Sequence, residues 1–290
     1  MATTDVESAT VPAARVRSRA ARWASWRWSV VLAGLLLGLA VVAAVWPSLL
    51  TPIDPLRADP LQSNLPPSAQ HWAGTDLQGR DLLARIVYGA RYSLVIGLGA
   101  VLVSVLVGTV LGLLAGAGPS WLDQLISRAI DILCAFPSVL LALVFIAFTG
   151  PGVPNLILAL GLGGIPSFAR VVRSQVFVAR TSGYAEQART YAVPAWRIVL
   201  RHVLPNALGP LPILATLGLG GAIVGSSGLS FLGLGPQPPA AEWGLMLSDS
   251  RNYLRVAWWT GVFPGVALTA VVISATVVGR WLQRRYERRF

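Results

Sequence analysis

The chain has 290 residues, 54% of them apolar and only 12% charged, with a formal net charge of +11; soluble domains carry roughly 25% charged residues. All 23 basic residues are arginine, which excludes a Walker-type phosphate loop and Schiff-base lysine chemistry. The single cysteine, Cys134, excludes an intrachain disulfide, and His71 and His202 lie too far apart in sequence to suggest a histidine metal centre.

Residues 1–28 are rich in Ala, Thr, Ser and Arg without apolar periodicity and read as a tail. An uncharged run follows, long enough to cross a bilayer. Basic residues before an apolar run also mark secretory signals. This run ends on Trp46-Pro47 rather than on small residues, which favours a retained first span at 29–50. Residues 51–91 form the main external segment. Its first half is proline-rich and extended; its second half reads as an amphipathic helix with Leu82, Leu83, Ile86 and Val87 on one face.

Five further spans are expected at 92–117, 130–149, 153–172, 206–230 and 257–281, making 92–282 a five-helix core before a tail at 283–290. Gly118-Pro119 separates the second span from the third, and the Gly150 to Pro154 turn separates the third from the fourth. Gly108, Gly112 and Gly116 recur every four residues, a pattern that lets membrane helices approach closely. Asp131 is the acidic residue nearest a span core. Pairing with Arg128 one turn earlier is favoured over a proton relay, and Cys134 reads as a packing residue.

A positive charge of this size can signal nucleic acid, but in a chain with several spans it more often records orientation. With the N-terminus inside, 17 of the 23 arginines fall on the cytoplasmic side, which places both termini and residues 173–205 in the cytoplasm. Within that loop, residues 184–206 combine a short helix-forming stretch, a break at Pro194 and a basic amphipathic stretch ending in Leu204-Pro205. Such a loop suits docking to a soluble partner; an interfacial helix lying on the membrane is the alternative. The helix at 184–192 is too short to be stable alone and needs a receiving groove. Glu186 suits its N-terminal end and Arg189 its C-terminal end.

This loop resembles the E-A-A loop of permease subunits in binding-protein-dependent ABC importers. Glu186, Ala188, Leu204 and Pro205 match at the family spacing, while Gln187, Ala192 and His202 stand for the second residue, the glycine and the isoleucine. Two further segments are similar to the C-type permease of dipeptide, oligopeptide and nickel importers. One runs from His71 through Gly74, Thr75, Asp76, Gly79, Arg80 and Asp81 to Leu94, and the other from Leu229 to Gly244. The resemblance implies an all-α polytopic membrane protein with six transmembrane helices, the type I ABC importer permease fold, in the bacterial plasma (inner) membrane. It also implies a coupling loop formed by Tyr184, Glu186, Ala188, Arg189, Ala192, Pro194, Leu204 and Pro205. Implied partners are a second permease, two ABC ATPases or one fused ATPase, and an external substrate-binding protein. ATP and magnesium would be bound by the ATPases, leaving no cofactor, metal or catalytic residue in this chain.

Ser226 departs from the family pattern, in which an acidic residue often precedes the Leu229 segment, and Arg280 stands where relatives often carry Asp. Ser226, Ser227 and Phe231 are candidates to line the pathway. Asp76, Arg80 and Asp81 either meet the binding protein or pair with one another and cap a helix beginning near Gln78, the structural role being favoured for each. Peptides are the expected substrate, with nickel or glutathione as alternatives. An intramembrane hydrolase or a proton-coupled carrier is poorly served by one span-edge carboxylate and histidines outside the span cores.

Overall fold

The computed structural model describes residues 19–191 and 193–287, and every regular element among them is helical. Helix α1 (Arg19–Val45) stops just before Pro47, which opens a 3-10 turn at Pro47–Leu49. Helix α2 (Leu82–Ala117) is 36 residues long, about 54 Å at 1.5 Å per residue. That exceeds a hydrocarbon core of about 30 Å. The amphipathic helix expected in the second half of 51–91 and the span expected from residue 92 are therefore one rod. Its interior has no proline to stop it.

The expected 130–149 span is instead two helices, α3 (Ser120–Ala135) and α4 (Ser138–Thr149), bent by 92°. Pro137 explains the elbow. It lacks the N–H to continue α3 and pushes Phe136 into extended backbone, at φ −101 and ψ 139. Helix α5 (Val153–Arg180) runs eight residues past its expected end, so the first part of 173–205 is helix rather than loop. Short helix α6 (Gly183–Thr190) follows. Then α7 (Ala195–Ile198) passes through a π-helical turn at Val199–Val203 into α8 (Leu204–Ala207). Helices α9 (Leu211–Phe231), α10 (Trp243–Ser250) and α11 (Trp259–Glu287) complete the chain. Among the described residues five helices are long and apolar enough to cross a membrane, and a sixth span results if α3 and α4 count as one.

The central contact is α2 against α5. A Cβ added at Gly108 would lie 2.6 Å from the Phe168 Cβ, at Gly112 2.7 Å from the Ala169 carbonyl oxygen, and at Gly116 2.7 Å from the Val176 Cβ. These separations are shorter than carbon atoms tolerate, so the three glycines set the distance between the two helices. Helix α1 packs against α2 and α11, where Ala40 and Ala43 join Leu82, Trp243, Trp259 and Val271 in one cluster. Outward faces carry exposed large apolar residues such as Leu35, Leu98, Val144 and Val266. Such surface suits lipid rather than water.

Candidate functional site

Helix α6 follows α5 after only Thr181 and Ser182, so the 184–205 segment is attached closely to a long membrane helix. Its hold on the bundle is apolar. Ile198, Val203 and Ala207 are buried with Val172, Val176 and Ala179 of α5, and Ala188 packs against that cluster. The opposite side is open. Glu186 and Pro194 are exposed, as are Tyr191 (82%), Trp196 (61%) and Leu200 (56%). Arg197 stacks its guanidinium 5.4 Å from the Trp196 ring centre. Leu204 is half-buried and Pro205 exposed at the start of α8. Ala192 lies outside the described residues, as do the side chains of Tyr184 and Arg189 on α6.

The external motif folds into a hydrogen-bonded scaffold on the first turns of α2. Asp81 caps that helix by accepting from the Ala84 N–H at 2.8 Å, and its other oxygen meets His71 Nδ1 at 2.8 Å. Helix α2 thus begins at Leu82, not near Gln78. Asp76 accepts from the N–H groups of Gln78 and Arg80 and from Arg80 Nε at 2.7 Å. The Thr75 N–H donates to the Leu65 carbonyl, and the Thr75 carbonyl accepts from Trp259 Nε1 at 3.1 Å. Gly74 and Gly79 have φ of +78 and +70, and a Cβ at Gly79 would lie 1.8 Å from the Asp59 carbonyl oxygen. No other residue fits there. Asp76 thus pairs with Arg80, while Asp81 pairs with His71 and caps α2.

Arg85 escaped sequence reasoning, and Glu242 entered it only as part of the segment from Leu229 to Gly244. Arg85 is 2% exposed, with Nε 3.3 Å from Asp76 and its terminal nitrogens reaching the carbonyls of Pro55, Pro239 and Ala240. It ties the 51–81 segment to the chain entering α10. Glu242 is fully buried and caps α10 by accepting from the Leu245 N–H at 2.8 Å. Burial pushes its carboxyl above the ordinary range, against the opposing pull of backbone N–H groups. The only sequence signal for Arg85 was an arginine one turn into an otherwise apolar helix.

Between α2, α4, α5 and α9 lies a groove of about 290 Å³, lined by residues including Ser104, Ser138, Gly164, Gly221 and Gly225. Ser226, Ser227 and Phe231 are not among its lining residues. Ser226 is fully buried and donates to the Ile223 carbonyl, Ser227 is buried against Gly244, and Phe231 lies partly exposed at the end of α9. The face of α9 turned to the groove is the glycine face one residue away.

Asp131 does not pair with Arg128. Helix α5 instead brings Arg170 within 3.1 Å of Asp131, and Arg173, just past the expected end of that span, grips Asp123 through both Nε (2.5 Å) and Nη2 (2.8 Å). Cys134 is exposed rather than packed.

Comparison with known proteins places this geometry. The chain is 44% identical over 243 residues to the dipeptide transport system permease protein DppC of Alkalihalophilus pseudofirmus, covering 84% of this chain and 80% of the relative. It is 38% identical over 282 residues to the glutathione transport system permease protein GsiD of Pectobacterium atrosepticum, covering 95% and 94%. Among solved structures, an inward-facing form of the MetNI methionine ABC transporter superposes with a TM-score of 0.59 at 21% identity. That match covers 71% of this chain and 97% of the other, and so shares the type I importer permease fold. The model of the binding-protein-dependent transport system inner membrane component family matches residues 108–290. With that match over most of its length and these relatives, the chain belongs to the family of binding-protein-dependent transport system inner membrane components.

Proposed function

We propose that this chain forms half of the pathway through which an ATP-driven importer passes short peptides, and that it receives the ATPase stroke through residues 184–205. The chain is a transport subunit of the inner membrane, not an enzyme. The observation that carries the coupling role is the pairing of a buried seam with an open face. Ile198, Val203 and Ala207 fasten the segment to α5, while Tyr191, Trp196 and Leu200 stand exposed beside Glu186. A segment that only lay on the membrane would not need so direct a splice to α5.

The complete machine on this reading contains a second, related permease, two ABC ATPases or one fused ATPase, and a substrate-binding protein. ATP and magnesium are held by the ATPases, and neither a cofactor nor a metal by this chain. The arginine asymmetry orients both termini and the coupling segment toward the cytoplasm, leaving the scaffold around Asp76, Arg80 and Asp81 outside, near the point of delivery. The glycine-faced groove of α9 is the pathway wall, with Ser226 and Ser227 behind it.

Di- or oligopeptides are the cargo best supported, by the dipeptide permease relative. Glutathione is the second reading, favoured by the near full-length match to a glutathione permease. Both are peptides, so one assay separates them. The purified complex in proteoliposomes, supplied with its binding protein and internal ATP, is expected to take up labelled dipeptide and to be slowed by unlabelled dipeptides more than by glutathione. Preferential inhibition by glutathione would exchange the two readings. Uptake that proceeds equally well without ATPase subunits would sink both.

A further inference from the structure

We infer that the Asp123–Arg173 ion pair is a clasp that makes α3 and the α4 wall of the groove follow the coupling segment; this rests on the coupling role proposed above. Helix α3 is joined to α2 by Gly118-Pro119 and packs on it through a small apolar seam, while its polar hold on α5 is the pair of carboxylates. Ile126 and Ile130 are buried against Ala115 and Ala169, while Trp121, Leu125 and Ile132 face outward. Across that thin seam the two carboxylates of α3 both reach α5. The inner contact is a two-pronged grip, Arg173 Nε and Nη2 on the two oxygens of Asp123 at 2.5 and 2.8 Å. The outer contact, Arg170 to Asp131 at 3.1 Å, joins side chains more than half exposed and adds little.

What the clasp joins gives it a role beyond packing. Arg173 sits two turns before the end of α5, and α6 begins three residues after that end. The same stretch of α5 is tied to α2, because Arg180 donates to the Gly116 carbonyl at 2.7 Å and Gly116 abuts Val176. Helices α2, α5 and α6 thus move as one body. On its other side, α3 turns through the 92° elbow at Phe136-Pro137 into α4, whose first residues Ser138 and Val139 line the groove. A displacement of α6 carried by α5 reaches that wall through the Asp123 carboxylate, with the elbow absorbing the change in angle. Asp123 and Arg173 are positioning residues for transport, touching neither nucleotide nor cargo.

The test uses the assembled complex in proteoliposomes, with ATP hydrolysis and peptide uptake read from the same vesicles. Asp123→Arg is expected to leave ATPase assembly and hydrolysis in place while peptide moved per ATP falls about tenfold, an ordinary magnitude for coupling between sites. The exchange Asp123→Arg with Arg173→Asp is expected to restore that ratio, which a loss of packing alone would not do. Should the reversed charge prevent folding, the isosteric Asp123→Asn keeps the shape and weakens the grip, and a smaller drop in the same ratio is expected. An unchanged ratio in an assembled Asp123→Arg or Asp123→Asn complex overturns the clasp, as does an exchange variant that assembles without recovering. Failure of the wild-type chain to bind ATPase at all would instead overturn the coupling role itself.

Discussion

Arg85 shows how much of the outer layer depends on one side chain. Its guanidinium is 2% exposed and answers Asp76 together with carbonyls from two distant segments. Truncating one member of a buried charge network leaves the others desolvated and unpaired, at a cost of about 3–5 kcal/mol. Arg85→Ala is expected to lower the melting temperature in detergent sharply. Arg85→Lys should recover only part of it, because an ammonium lacks the planar fork that reaches several acceptors at once. Glu242 makes a second, pH-dependent case. Burial holds its carboxyl above the ordinary value of 4.5, so the folded form keeps a proton that the unfolded chain has released. Stability present below that value is therefore lost as pH rises through the raised one. Glu242→Gln keeps an acceptor for the Leu245 N–H without the charge. Its melting temperature should gain on the unsubstituted protein as pH is raised from about 4.5 toward neutrality. Glu242→Ala, which deletes the cap, should be less stable by about 1 kcal/mol at low pH, a deficit that narrows as pH rises and the buried carboxyl must ionise.

At the scale of the element, glycine has two opposite meanings in this chain. A Cβ at Gly112 would fall 2.7 Å from the Ala169 carbonyl oxygen, backbone that cannot yield cheaply, whereas a Cβ at Gly221 meets nothing within 4 Å. Gly112→Ala should cost about 1–3 kcal/mol by forcing α2 and α5 apart. Gly221→Ala should leave the melting temperature unchanged and alter uptake, because its added methyl projects toward the groove. The four-residue glycine repeat was legible in sequence as close packing, since spacing alone puts Gly108, Gly112 and Gly116 on one face. Five of the spans were legible too, because an uncharged run long enough to cross a bilayer has few other uses, while the elbow at Pro137 divides the remaining one. Three features were not. The continuity of α2 was hidden by the polar look of residues 88–93, although Gly89 is there to admit the Ala241 carbonyl, 2.2 Å from where a Cβ would lie. The partner of Asp131 was misjudged because local spacing offered Arg128, while the true partner, Arg170, is distant in sequence and depends on how α3 packs on α5. Which face of α9 turns to the groove was the third, since periodicity left Ser226, Ser227 and Phe231 as candidates. On a helix one residue is a turn of 100°, and the neighbouring glycines face the groove instead.

For the whole molecule, residues 184–205 carry exposed apolar side chains that the described residues leave uncovered. Tyr191, Trp196 and Leu200 are exposed, with Arg197 stacked over the Trp196 ring. Surface of this kind is covered either by lipid or by a partner, and the two covers respond differently to charge. If an ATPase receives this face, Trp196 is the natural anchor, since buried tryptophans carry a disproportionate share of interface energy. Trp196→Glu should then leave the two permeases associated and folded, with an unchanged melting temperature. The ATPase should be lost on mild-detergent pull-down, corresponding to at least about 2 kcal/mol, roughly thirtyfold in affinity. Trp196→Phe, which keeps an aromatic ring and the seat for Arg197, should retain most of the binding. If the segment only rests on the bilayer, Trp196→Glu would co-purify with a full complement of ATPase and would show its effect in membrane extraction alone. The pull-down distinguishes them in one step, because the segment lies where only one of the two covers can carry force from ATP to α5.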